Sequence, residues 1–280
     1  MSSAQIEIRP IAGAIGAELH GVDLARELPD TMVRAIRQAL LDHCVIFFRD
    51  QELSSAEYLA FARRFGEPIE YPFVRGLDGF PTITPVVKLP DERVNFGGVW
   101  HADTTYLDEP PMATMLLARE VPPYGGDTLF ANMYLSCETL SPGLKRMLEG
   151  LVGISDSAKA DGSRTREDRA RDHPAANAPP RLIAEHPAVR VHPETGRKAL
   201  YVNSAHTAHF KGMTVEESAL ILNYLFAHLS RPEFTCRFSW RPGSLAFWDN
   251  RSAQHNAVND YHGQRRVMWR LPVGAEAVVA

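Results

Sequence analysis

Residues 266–271 read Arg-Val-Met-Trp-Arg-Leu, and the alternation along this run sets the reading of the fold. Successive side chains of a β-strand point to opposite faces, so Arg266, Met268 and Arg270 share one face while Val267, Trp269 and Leu271 share the other. A bare guanidinium buried away from water is prohibitively unfavourable. Each arginine must therefore face solvent, bind an anion, or pair with an acidic side chain. Four residues at about 3.3 Å each separate the two by roughly 13 Å, enough to hold two different anions.

Working outward, strand-like segments bounded by glycine and proline recur at 112–118, 188–192, 198–203, 234–240 and 244–248. Residues 5–24, QIEIRPIAGAIGAELHGVDL, alternate apolar and polar positions between glycines and read as short strands and turns, and Val45–Phe48 is a further strand. Helices are fewer. Asp30 leads Val33, Ile36 and Leu40 at helical spacing. Ser54 with Glu57 makes a capping box ahead of Tyr58, Ala62 and Phe65; Thr214 with Glu217 repeats it ahead of Leu220, Ile221, Tyr224, Leu225 and His228. Many short strands, a few flanking helices and no repeat at periods of 20–50 residues predict a mainly β chain, a barrel or jelly roll rather than a βαβ array. The whole of 1–280 is expected to form one domain. Residues 155–180 (SDSAKADGSRTREDRARDHPAANAPP) carry few apolar anchors and are expected to form an active-site lid, with a solvated surface excursion as the alternative.

Composition removes several classes. At 280 residues, 45% hydrophobic and 23% charged, the chain is globular in type and long enough to bury a substantial core. A formal charge of −4 gives no general attraction to nucleic acid or anionic lipid, so neither is expected as a partner. Any bound anion must be held by a few placed cations. Cys44, Cys137 and Cys236 are far apart with no CxxC, which points away from a disulfide framework or a thiolate zinc site and toward a reducing cytoplasm. The apolar run Cys44–Phe48 is far short of a membrane span. The opening MSSAQIEIRP lacks the apolar segment of a signal peptide.

Chemistry concentrates at Trp100-His101-Ala102-Asp103. On a strand, His101 and Asp103 share a face and can reach one metal ion together. The H-x-D pattern alone is weak among 11 histidines. A similar match, His192-Pro193-Glu194, reads as the turn of a hairpin between VRV and KALYVN. His255, after the strand-like 244–248 and the turn residues Asp249-Asn250, is the candidate third ligand. Two imidazoles and one carboxylate leave three coordination positions open, the facial triad of non-haem Fe(II) oxygenases. Arg266 stands 11 residues after His255 (266 − 255). The turn Gly125-Gly126-Asp127-Thr128 offers a hydroxyl, on Thr128, able to join an arginine in gripping a carboxylate.

Together W-H-x-D (100–103), G-G-D-T (125–128), W-D-N-R (248–251), His255 and Q-R-R-x-M-x-R (264–270) resemble the taurine/2-oxoglutarate dioxygenase family, which also contains phenoxyalkanoate dioxygenases. The segments GAIGAELHGVDL, VIFFRDQELSSAEYLAFARRFGEP and VRVHPETGRKALYVN resemble it too, so the likeness spans nearly the whole chain and is weakest over 155–180. The resemblance implies a double-stranded β-helix (jelly roll), a homo-oligomer, dimer or tetramer, and the use of Fe(II), 2-oxoglutarate and O₂ to hydroxylate a small organic anion with release of succinate and CO₂. It implies that His101, Asp103 and His255 hold Fe(II), and that 2-oxoglutarate chelates the iron through its C1 carboxylate and keto oxygen. The distal carboxylate would pair with Arg266 and Thr128, a contact that a planar guanidinium suits. Arg270 matches the arginine that receives the sulfonate in the taurine enzymes. Trp248 and Asn250 are expected to pack and hydrogen-bond behind the ligands.

The chain departs from the taurine pattern around the substrate. Tyr71 and Val74 stand where those enzymes have a histidine and a tyrosine, Gly97 where they have an asparagine, and a pocket aromatic is replaced near His206. Few partners for an ammonium remain, so the expected substrate is another sulfonate, or a carboxylate with a bulkier apolar body such as an aryloxyalkanoate. His206 and His209 read first as structural or surface residues and second as substrate readers; Phe73, Tyr106 and Phe130 read as core or pocket wall. Two other classes stay open. A cupin-like zinc hydrolase would use the same three ligands with a metal-bound water but gives Arg266 and Thr128 no task. The other is a barrel that binds an organic acid without catalysis.

Overall fold

The run Val-Ile-Phe-Phe at 45–48 is apolar at four successive positions, as a strand covered on both faces must be. In the computed structural model, which describes residues 6–160 and 181–274, it lies inside a seven-stranded sheet. The strand order is β1 (Glu7–Pro10), β2 (Ala17–His20), β3 (Val45–Phe48), β13 (Leu245–Asp249), β5 (Ala113–Glu120), β15 (Arg266–Val273) and β4 (Thr84–Lys88). One face of this sheet carries Ile46, Phe48, Met115, Leu117, Phe247 and Leu271. They pack on α1 (Asp30–His43) and α2 (Ser55–Arg63) through Ile36, Leu40, Tyr58 and Phe61.

The opposite face carries Val45, Phe47, Ala246, Trp248 and Met268. It meets a three-stranded sheet of β12 (Thr235–Phe238), β6 (Thr128–Asn132) and β14 (Ala253–Ala257). Phe47 stacks on Phe238 with ring centroids 3.9 Å apart and meets Phe130 edge-on at 5.5 Å. The site described below opens between these two sheets. A second three-stranded sheet joins β11 (Thr207–Phe210), β7 (Val152–Asp156) and β8 (Ile183–Pro187). The hairpin of β9 (Val189–Val191) and β10 (Lys198–Leu200) encloses the turn expected at His192-Pro193-Glu194. Helices α3 (Met133–Glu138), α4 (Pro142–Glu149) and α5 (Val215–Leu229) complete the set. The chain is mainly β with few helices, as predicted, and among the described residues no helix is long and apolar enough to cross a membrane.

The alternation along β15 holds: Arg266, Met268 and Arg270 are each buried, while Val267 and Trp269 are half-buried on the other face. Both capping boxes form. On α5 the buried side chains are Ser218, Leu222, Leu225, His228 and Leu229, whereas Leu220 is 80% and Tyr224 53% exposed. The helix is wetted along 220/224 because the 218/222/225/229 stripe is the one turned to the core. Of the stretch 155–180 expected as a lid, Ser155 and Asp156 are buried in β7 and Ser157–Ala160 is a 3₁₀ turn. Backbone pairing of Ser157 N–H with Leu182 O at 2.9 Å and an Arg181–Asp156 ion pair close that end. Residues 161–180 lie outside the described residues.

Candidate active site

His101 and His255 are 154 positions apart (255 − 101) yet form an isolated two-way bridge, with N–H···O contacts of 3.0 and 2.8 Å. The bridge sets their rings 4.1 Å apart. Asp103 completes a group whose potential ligand atoms all lie within 4.8 Å of one another. Strand alternation is not what joins His101 to Asp103, as the sequence suggested. His101 makes one bridge, the chain turns at 103–106, and Thr104 takes a left-handed φ of 48°. The approach to this segment is tight: Gly97 has φ 76°, and a Cβ there would meet His101 Cε1 at 3.0 Å.

Hydrogen bonds orient each ligand. His101 Nδ1 lies 2.7 Å from Val99 O, so the proton sits on Nδ1 and the Nε2 lone pair is left for a metal. Asp103 N–H donates to Asn250 Oδ1 at 3.2 Å, and Asp103 Oδ2 accepts from Thr114 Oγ1 at 2.6 Å. Asn250 in turn donates to Thr114 Oγ1 and accepts from the Trp248 indole, both at 3.0 Å. Trp248 packs on His255 with centroids 4.6 Å apart. Trp248 and Asn250 thus stand behind the ligands. Thr114, which no local pattern singled out, is the link between them and the carboxylate.

The electrostatics suit a cation. Burial pushes the imidazoles of His101 and His255 below their usual range, so both are neutral donors. Burial acts to raise the Asp103 carboxyl, but the Arg270 guanidinium beside it holds it well below the usual carboxylate range. Two neutral imidazoles and one carboxylate, without thiolate, form a donor set that fits Fe(II) with positions left open.

Next to the triad, a cavity is lined by His101, Asp103, His255, Thr128 and Arg266. Arg266 is 5% exposed, and its Nε and Nη2 have no hydrogen-bond partner among the described residues. Burial lowers its affinity for its proton. Such a guanidinium calls for an anion. Thr128 Oγ1 accepts the Trp240 indole N–H at 3.0 Å, which leaves the hydroxyl hydrogen to donate. Gly126, at φ 70°, keeps the turn clear of Tyr261 and Arg266, which a Cβ would approach at 3.2 and 3.4 Å. Lys88, opposite Arg266 on β4, is a second buried cation whose Nζ has no hydrogen-bond partner among the described residues; it lies 4.5 Å from the Tyr261 ring centroid.

On the other side of the triad a cleft of about 370 Å³ is lined by Tyr71, Gly97, Tyr106, His206 and Arg270 as well as His101 and Asp103. Val74 lines a recess that continues from it past Tyr71 and Arg270. The structure therefore gathers all the residues singled out for substrate around one opening. His206 is held by Thr105 Oγ1 at 3.0 Å and faces the His101 ring at 6.0 Å. His209 sits half-buried on β11, away from these cavities. Phe73 packs against Tyr71 and Tyr106, which line the cleft, whereas Phe130 is core beneath His255. Arg270 takes the acidic pairing left open in the sequence, with Nη2 2.8 Å from Asp103 Oδ1, while its Nη1 has no hydrogen-bond partner among the described residues. His192, read only as a turn residue, is buried 3.0 Å from Asp249 Oδ2.

Comparison with known proteins gives a consistent picture. The family model "Taurine catabolism dioxygenase TauD, TfdA family" matches residues 7–271. An alkylsulfatase of Acinetobacter baylyi is 36% identical over 97% of this chain and 86% of its own length. An alpha-ketoglutarate-dependent sulfate ester dioxygenase of Pseudomonas putida is 34% identical, covering 98% and 91%. Among solved structures, a taurine dioxygenase from Burkholderia xenovorans superposes with a TM-score of 0.82 at 38% identity, over 97% of this chain and 91% of that one.

Proposed function

The chain belongs to the TauD/TfdA family of taurine catabolism dioxygenases, and on that premise we propose that it hydroxylates a small organic anion at an Fe(II) centre held by His101, Asp103 and His255. It is a 2-oxoglutarate-dependent dioxygenase, which sets aside the hydrolase and the non-catalytic binder. The finer fold reading is a double-stranded β-helix forming one catalytic domain. The observation that carries the proposal is Arg266, a buried guanidinium whose Nε and Nη2 have no hydrogen-bond partner among the described residues, in the cavity that the three ligands line.

Arg266 and the Thr128 hydroxyl bind the distal carboxylate of 2-oxoglutarate and fix its other end toward the triad. Val99 O keeps the His101 proton on Nδ1, and Thr114 with Arg270 keeps Asp103 ionised and aimed. When bound, the iron supplies activation of O₂ coupled to oxidative decarboxylation of 2-oxoglutarate, leaving succinate and CO₂. Tyr71, Tyr106 and His206 wall the cleft and exclude water from the substrate carbon. Arg270 Nη1 receives the substrate's anionic head.

The apolar surroundings of Tyr71, Val74 and Gly97, with the relatives' activity toward sulfate esters, favour an alkyl sulfate or alkylsulfonate over taurine. Hydroxylation of a carbon bearing sulfate or sulfonate yields an unstable product that collapses to an aldehyde plus sulfate or sulfite. The test is 2-oxoglutarate-dependent succinate release with a medium-chain alkyl sulfate, an alkylsulfonate, an aryloxyalkanoate and taurine. The expected order places taurine last; taurine outperforming the bulkier acids contradicts the pocket reading.

A further inference from the structure

One rung of the seven-stranded sheet carries two buried donor atoms, Thr84 Oγ1 and Arg270 Nη1, with no acceptor among the described residues. Arg270 on β15 and Thr84 on β4 are direct antiparallel partners, so their side chains leave the sheet on the same face. Thr84 is 2% and Arg270 4% exposed, and Thr84 Oγ1 and Arg270 Nη1 both lack a hydrogen-bond partner among the described residues. Both residues line the same recess, whose wall is otherwise mainly apolar through Tyr71, Val74, Val86 and Phe96. The acid in that recess, Glu92, turns its carboxylate onto the Leu89 N–H at 2.6 Å. Buried polar groups of folded proteins are almost always paired, so two orphans side by side at a cavity mark where a ligand's acceptors belong.

We propose that Thr84 reads the substrate's anionic head together with Arg270, and that this pair selects a tetrahedral sulfate or sulfonate over a planar carboxylate. The inference rests on the reading that the substrate is an organic anion. Arg270 Nη2 is committed to Asp103 Oδ1 at 2.8 Å, so the guanidinium no longer offers the parallel two-nitrogen fork that a carboxylate prefers. A head group must instead collect one hydrogen bond from Nη1 and another from the hydroxyl across the rung. Three oxygens arranged tetrahedrally can serve donors from two directions while the carbon chain runs back toward the metal. A carboxylate has two coplanar oxygens, so serving both donors dictates the direction of its carbon chain, whereas a tetrahedral head has a third oxygen and more ways to aim its chain at the metal. Thr84 is thus a specificity residue, one strand away from any motif in the chain.

The experiment is calorimetric titration of hexyl sulfate and of hexanoate into the Fe(II)- and 2-oxoglutarate-loaded protein without O₂, so that binding is read and no turnover occurs. Thr84→Val replaces the hydroxyl with a methyl at nearly constant volume. It should weaken hexyl sulfate by roughly tenfold or more, the loss of one hydrogen bond to a charged group, and hexanoate by much less. Thr84→Ser should restore the preference, Thr84→Ala should read the same loss through a second variant, and 2-oxoglutarate affinity should stay unchanged in all of them. Equal weakening of both anions, or undiminished hexyl sulfate binding in Thr84→Val and Thr84→Ala, overturns the role of Thr84. Binding of neither anion to the wild type overturns the functional reading itself, and the inference with it.

Discussion

Replacing Arg266 by Met should have opposite effects on the empty and the loaded protein. Arg266 is 5% exposed, with Nε and Nη2 unpaired, between Trp240 and Tyr261 at 5.7 and 6.0 Å. Methionine keeps most of that packing and removes a buried charge whose Nε and Nη2 have no hydrogen-bond partner among the described residues until an anion arrives. Ligand-free Arg266→Met should therefore melt at or above the wild-type temperature. With the ligand the sign reverses, because truncating one partner of a buried charge pair costs about 2–5 kcal/mol. That weakens 2-oxoglutarate by roughly 30- to 5,000-fold at about 1.4 kcal/mol per tenfold. At a concentration of about 100 times the wild-type Kd, 2-oxoglutarate adds about 2.7 kcal/mol to wild-type stability. The same concentration is at most about 3 times the variant's Kd and adds less than about 1 kcal/mol. Thermal denaturation of both proteins with and without 2-oxoglutarate reads all four states. A variant that melts lower when empty and keeps the full ligand shift would refute the reasoning and make Arg266 a structural ion.

Thr114→Val removes the hydroxyl that holds Asp103 Oδ2 at 2.6 Å and accepts from Asn250. It should lower Fe(II) affinity by roughly 10- to 100-fold, read by metal titration; unchanged affinity would remove Thr114 from the site. Asp249 gives a pH test. Burial works to raise its carboxyl, but bonds from Arg251 and His192 bring it down to about 2. A folded pKa below the unfolded value near 3.9 makes its stabilisation complete above that pH and lost as pH falls toward 2. Asp249→Asn should be less stable than wild type by on the order of 2 kcal/mol at pH 6. In urea denaturation the gap should close between pH 4 and pH 2; a constant gap would contradict the charge network.

The parts of the site that were legible in the sequence are those encoded by local period. Alternation along 266–271 placed both arginines on one buried face, and the capping boxes at Ser54 and Thr214 marked helix starts. The nearness of His101 to Asp103 was read correctly from sequence distance but for the wrong cause, since a loop and a bridge to His255 set it. Strands β6 and β14 escaped detection because Thr128, Gln254 and His255 interrupt their apolar pattern, the site demanding polar side chains where a core would demand apolar ones. Thr114, Thr84 and Lys88 owe their positions to cross-strand register between segments far apart in the chain. No short-range pattern carries that register. Leu220 and Tyr224, apolar in type, lie opposite the packed face of α5, so residue type at helical spacing marks the helix without marking which side is buried.

The most direct test of Fe(II)- and 2-oxoglutarate-dependent hydroxylation is the fate of molecular oxygen. The Fe(II)-loaded protein is given 2-oxoglutarate, the best anion of the substrate panel and ¹⁸O₂, and the succinate is weighed by mass spectrometry. One labelled oxygen per succinate is predicted, with formation that requires the substrate and stops in His101→Ala. Unlabelled succinate, or succinate made equally well by His101→Ala, would contradict the account.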